Sequence, residues 1–149
     1  MQRILKFSLL LIIVILLLPG SGCKKQTVCN GVPVTSVNFS INLAIGYPAL
    51  NPVNNNETFS GGYANAGVIV YHYLATQFQA YDCTCPYDGE SNAKAIITAK
   101  QGSLYGTCPV CGSSFLLSSG SPNKGPSTCS LKAYNTSYDQ ANSIVYVQN

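Results

Sequence analysis

Val37-Asn38-Phe39-Ser40-Ile41-Asn42-Leu43-Ala44-Ile45 alternates apolar residues with polar or small ones along its whole length. In an extended chain Val37, Phe39, Ile41, Leu43 and Ile45 share one face, and Asn38, Ser40, Asn42 and Ala44 share the other. This is the period of a half-buried strand, not of a helix. Downstream, residues 48–62 read as a loop around Asn54-Asn55-Asn56, and 67–74 form a nearly continuous apolar run rich in β-branched and aromatic residues, which predicts a buried strand. Shorter strands are expected at 78–82, 95–100, 115–117, 131–134 and 144–147, with Gly, Pro, Ser and Asn between them. Residues 118–127 are a loop by composition, and helical periodicity persists nowhere for three turns. Many short strands with turn signals predict an all-β antiparallel sandwich or small barrel.

Upstream, Arg3 and Lys6 precede an unbroken apolar run over 9–18, followed by Pro19-Gly20-Ser21-Gly22-Cys23. The run is about half of the roughly 20 apolar residues that a membrane-spanning helix needs, so it reads as a secretory signal. The organisation expected is a signal at 1–22, an anchor and linker at 23–36, and one β domain at 37–149. Of 149 residues only 9% are charged, against roughly 25% in an average globular domain. The formal charge of +3 falls to +1 once the signal's two cations are removed, and Lys24-Lys25 is the longest basic run. Such a surface lacks the electrostatic footprint of a nucleic-acid-binding protein.

The chemistry lies in the cysteines. Apart from Cys23, the chain holds Cys29, Cys83, Cys85, Cys108, Cys111 and Cys129. An even number in an exported protein is compatible with three disulfides, in any of 15 pairings. Four of the six, however, form two tight pairs, Cys83-Thr84-Cys85 and Cys108-Pro109-Val110-Cys111. Paired thiols on two loops can converge as four metal ligands. Cys-x-x-Cys followed by Gly112 is a sulfur knuckle, in which the turn aims backbone N–H groups at thiolates.

Two resemblances follow from these residues. Gly22-Cys23-Lys24-Lys25 after the apolar run resembles the lipobox of bacterial lipoproteins, although Gly20 stands where that family has Leu. The resemblance implies diacylation of Cys23 and an extracytoplasmic, lipid-anchored location in the cell envelope. Consecutive arginines are absent, so the general secretion route is expected. The order Cys83-Thr84-Cys85, Cys108-Pro109-Val110-Cys111-Gly112-Ser113-Ser114-Phe115, Gly120, Gly125-Pro126 and Leu131 resembles a Rieske iron–sulfur domain. That family is a small antiparallel β fold whose two loops, Cys-x-His and Cys-x-x-His, hold a [2Fe–2S] cluster. The resemblance implies Cys83, Cys85, Cys108 and Cys111 as ligands, Ser113 as a hydroxyl donor to cluster sulfur, and Gly125-Pro126 as the loop covering the cluster.

Both positions that are His in the family are cysteine here, Cys85 and Cys111, and the only histidine, His72, sits inside an expected strand as a packed side chain. One histidine cannot also build the mononuclear iron of the Rieske oxygenases. A thiolate has no titrating ring for proton-coupled quinol chemistry either. With four thiolates, a cluster would be a low-potential, one-electron carrier serving an unidentified redox partner. The cysteines leave two other occupants open, a structural zinc ion and disulfides, in a non-enzymatic structural or interaction lipoprotein. Cys29 and Cys129 are the leftover pair, able to tie the N-terminal segment to the domain, while Cys129 also has the Cys83 loop within reach. Asp82, Asp88 and Glu90 near the first loop read as solvated turn formers. No Gly-x-Ser-x-Gly elbow is present, so hydrolysis has no support.

Overall fold

The protein is described by a computed structural model covering residues 31–149. Among these residues, nine strands form two antiparallel sheets. The larger takes β1 (Asn38–Asn42), β2 (Asn56–Phe59), β3 (Val68–Leu74), β4 (Gln77–Asp82), β8 (Ala133–Asp139) and β9 (Ile144–Gln148) in the order β1-β9-β8-β4-β3-β2. The smaller is β5 (Tyr105–Thr107), β6 (Ser114–Leu116) and β7 (Pro122–Lys124). The large sheet curls into a half-barrel, and the all-β expectation holds.

The apolar run of β3 is continuous because both of its faces are buried. Val68 and Val70 point into the half-barrel with Ile41, Phe78, Val145 and Val147. Ile69 and Tyr71 point the other way, into a second core with Ile97, Phe115, Leu117 and Leu131. Covering both faces is what turns a strand from alternating to wholly apolar. All four cysteines of the two tight pairs pack in or against this second core. The site therefore sits where the small sheet docks on the back of the large one.

Some expectations shift. The first strand stops at Asn42, whose carbonyl accepts Gly46 N–H and whose side chain accepts Ala44 N–H (2.9 Å), an Asx turn that leaves Ile45 87% exposed. Residues 95–100 form only isolated bridges, Thr84 with Ile96 and Thr98 with Thr107, because the segment divides its pairing between two partners. The expected loop at 48–62 contains β2, and that at 118–127 contains β7. The strand expected at 131–134 runs instead over Ala133–Asp139, held through its polar half by pairing with β9. The signal expected at 1–22, Cys23 and Cys29 lie outside the described residues.

Candidate metal centre

The first cysteine loop leaves β4 at Asp82. Cys83 N–H bonds the Gly67 carbonyl, and Ile97 N–H bonds the Cys83 carbonyl (2.6 Å). Cys85 N–H bonds the Ala95 carbonyl, so the Cys-x-Cys backbone is pinned on both sides. Asp82 is only 1% exposed, and this overturns its reading as a solvated turn former. Its carboxylate accepts hydrogen bonds from Tyr63 N–H (2.6 Å), Tyr134 O–H (2.6 Å) and Thr84 N–H (2.8 Å). The last of these bonds fixes the residue between the two cysteines. Asp88 keeps the expected role, its carbonyl accepting Ser91 and Asn92 N–H in a turn.

The second loop joins β5 to β6. Gly112 N–H bonds the Cys108 carbonyl (3.0 Å) and Cys108 N–H bonds the Ser113 carbonyl (2.8 Å). Gly112 has φ 73°, the left-handed conformation that glycine adopts without a Cβ penalty. These bonds close the Cys-x-x-Cys-Gly segment into a tight turn.

Three sulfurs converge. The Sγ atoms of Cys85, Cys108 and Cys111 all lie within 4.8 Å of one another, with Cys85 and Cys111 3.7 Å apart. Cys85 and Cys108 are buried and Cys111 is half-buried. Cys83 is also buried and free, but its sulfur is outside that group. It faces the Ile69 N–H and the Cα of Gly67, where an added Cβ would stand 3.3 Å from it.

The electrostatics divide the thiols. Burial pushes Cys83 up to about 12, with the Asp82 carboxylate acting in the same direction. Burial also pushes Cys85 up to about 12, against N–H groups of Asp88 and Tyr87 aimed at its sulfur. At Cys111 burial acts upward too, but hydrogen bonds from Ser113, Cys108 and Cys85 outweigh it and hold the thiol below its ordinary value. Burial alone opposes thiolate formation, and a bound cation reverses that balance. Three converging thiols, with N–H groups aimed at two of them, are a donor set that could hold a metal ion.

The Ser113 Oγ is 3.1 Å from Cys111 Sγ and accepts the Ser127 N–H (3.1 Å). Gly125 presses on it: an added Cβ would stand 2.8 Å from Ser113 N. The Gly125-Pro126 segment thus packs directly over the second cysteine loop. His72 faces the opposite core, stacked on Phe78 at 4.2 Å with Nδ1 3.0 Å from the Leu50 carbonyl. It is a packed side chain remote from the thiols. Cys129 is disulfide-bonded, and its expected partner Cys29 lies outside the described residues. Sequence reasoning missed the role of Asp82, for which the one signal was its place directly before Cys83.

No protein-family model and no curated protein matches this chain. Among solved structures, the ferredoxin of carbazole 1,9a-dioxygenase from Nocardioides aromaticivorans IC177 is 19% identical, covering 77% of this chain and 98% of that one at a TM-score of 0.49. The E. coli protein NirD is 19% identical over 77% of this chain and 98% of its own, at 0.46. The Sphingomonas yanoikuyae B1 ferredoxin is 19% identical over 67% and 92%, at 0.47.

Proposed function

We propose that this chain is a Rieske-like electron carrier whose [2Fe–2S] cluster is held by Cys83, Cys85, Cys108 and Cys111. The observation that carries the proposal is the 3.7 Å separation of Cys85 and Cys111. These residues stand at the family's two His positions, which share one iron. Two thiolates on one tetrahedral metal, with bonds of about 2.3 Å, lie about 3.8 Å apart. Cys108 is within reach of the same centre, and Cys83 joins it by turning its side chain away from Ile69. Ser113, Tyr87 and Asp88 supply the hydrogen bonds to sulfur. A bound cluster takes up or gives one electron, and replacing two neutral imidazoles by two thiolates moves its potential toward roughly −400 mV.

The same reading takes residues 1–22 as a removed signal, 23–36 as anchor and linker and 37–149 as the domain. Cys23 carries the lipid that holds the protein at the membrane, outside the cytoplasm, and Cys29 pairs with Cys129. An unidentified redox partner supplies and receives the electron.

One observation favours a second reading. Three sulfurs mutually within 4.8 Å suit a single zinc ion, with Cys83 as fourth ligand and a purely structural role. Metal analysis and a visible spectrum of protein purified anaerobically from its host's membranes decide between them. Two irons per chain with absorbance that bleaches on reduction are expected. Stoichiometric zinc, or no metal with thiols that react only after reduction, overturns the cluster.

A further inference from the structure

Among the described residues the large sheet ends on β1 and β2, and these two ends curl toward each other without pairing. Phe39 of β1 and Phe59 of β2 meet with ring centroids 5.4 Å apart, and Tyr47 closes on Phe59 at 5.0 Å. Beside these rings lies an open groove of about 390 Å³, lined along β1 by residues 36–40. The hydrogen bonds of β1 show which of its backbone groups are spoken for. Asn149 N–H bonds the Val37 carbonyl and Leu43 N–H bonds the Ser143 carbonyl, so the odd-numbered residues bond toward β9. Strand alternation then turns the N–H and C=O groups of Asn38 and Ser40 away from β9, into the groove.

Edges of this kind are normally guarded by charge, proline or a bulge. Residues 36–42, Ser-Val-Asn-Phe-Ser-Ile-Asn, carry none of these, and the whole groove lining is without a charged side chain. Tyr47 adds a second observation. It sits at φ 57°, a left-handed conformation costly for a bulky residue, and it is 46% exposed with its ring over Phe59.

We infer that this groove binds one extended, uncharged peptide segment of a partner protein, which adds to the β1 edge through Asn38 and Ser40. Backbone hydrogen bonds supply the attachment, and an apolar side chain of the segment packs against Phe39, Tyr47 and Phe59. A lone segment fits better than a second copy of this chain. The edge of a second sheet would bring its own neighbouring strand, about 4.8 Å further on, into the place of Phe59 and Tyr47. The site uses none of the cysteines, so it stands whatever metal they hold.

The test is hydrogen exchange on the ¹⁵N-labelled full chain with the capped peptide Ac-TVSFSVT-NH2 and an analogue N-methylated along one hydrogen-bonding edge. The peptide at about 1 mM is expected to slow exchange at the Asn38 and Ser40 amides at least tenfold, and the N-methylated analogue to lose the effect. Ser40→Pro removes the outward N–H at an edge that tolerates proline, and is expected to weaken binding tenfold or more with the melting temperature preserved. Equal binding by the N-methylated analogue, or absence of protection, overturns the proposal. So does a dimer in sedimentation equilibrium that protects the same amides without peptide. Should Ser40→Pro not fold, the analogue comparison decides alone.

Discussion

Asp82→Asn isolates the carboxylate that holds the first cysteine loop. In the native site Oδ2 receives two donors, Tyr63 N–H and Tyr134 O–H, and Oδ1 receives Thr84 N–H. Asparagine keeps the shape but has one oxygen. Placed at the Oδ2 position, that oxygen keeps two donors, and the new NH2 group then faces the Thr84 N–H, donor against donor. The opposite orientation strands two donors, so the first is preferred. It forfeits one hydrogen bond to a charged group, roughly 1.5–3 kcal/mol, and leaves a buried N–H unpaired at about 1–3 kcal/mol. Removing a charge that is only 1% exposed offsets part of this. The net loss expected is about 2–4 kcal/mol, read as a lower urea midpoint at unchanged slope. Because the broken bond is at Thr84, the Cys85 thiol is also expected to alkylate faster than in the wild type, as followed by mass spectrometry. A stability within about 0.5 kcal/mol of wild type, the range of an ordinary surface substitution, would refute the assignment of Asp82 as the anchor of this loop.

Four further outcomes are expected. Gly125→Ala places a methyl group against the Ser113 backbone at φ 101°, so it is expected to cost about 2–4 kcal/mol and to speed alkylation of Cys111, measured by urea unfolding and peptide mapping. Burial first, and then the Asp82 carboxylate, raise Tyr134 above the ordinary phenol value of 10.0. A raised phenol contributes stability that is fully present below pH 10 and is lost as pH climbs above it, so the urea midpoint should fall through this alkaline range and fall less in Tyr134→Phe. Cys111→Ser removes one of the three converging sulfurs and is expected to lower metal content whichever metal is bound, as read by elemental analysis. Cys83→Ser separates the two occupants: iron content and visible absorbance vanish if the cluster spans all four thiols, whereas zinc stays bound by the remaining three, with elemental analysis as the readout.

The parts of the fold that were legible are those whose side chains declare their surroundings. β3 is apolar apart from His72 and β9 apart from Gln148, and β4 carries enough buried positions to mark it. β2 reads Asn-Glu-Thr-Phe and β7 reads Pro-Asn-Lys, and neither shows a strand pattern, because an edge strand is fixed by the neighbour it pairs with. Ile45 continued the alternation of β1 on paper, but Asn42 ends the strand with local hydrogen bonds that hydrophobic periodicity does not register. At the site, the two cysteine pairs, the glycine knuckle and Ser113 were visible because their spacing is local. Asp82 was misread because its three donors come from Tyr63, Thr84 and Tyr134, two of them remote in the chain. The setting of Cys83 apart from the other three sulfurs depends on Ile69 and Gly67, which nothing in the Cys-x-Cys spacing encodes.

The segment carrying both cysteine loops leaves the large sheet at Asp82 and returns at Ala133, and Tyr81 faces Ala133 across a single antiparallel rung. Its two ends therefore abut, as the ends of a hairpin connection do. The strands that receive it keep their register whatever its length, since loop closure grows only slowly in cost with added residues. Both cysteine loops are thus carried in one insertion between β4 and β8, whose ends meet on the half-barrel and whose inner side packs on Ile69 and Tyr71 of β3. A change in either loop is therefore felt at the back of β3, while the opposite core around Val68 and Val70 does not touch it.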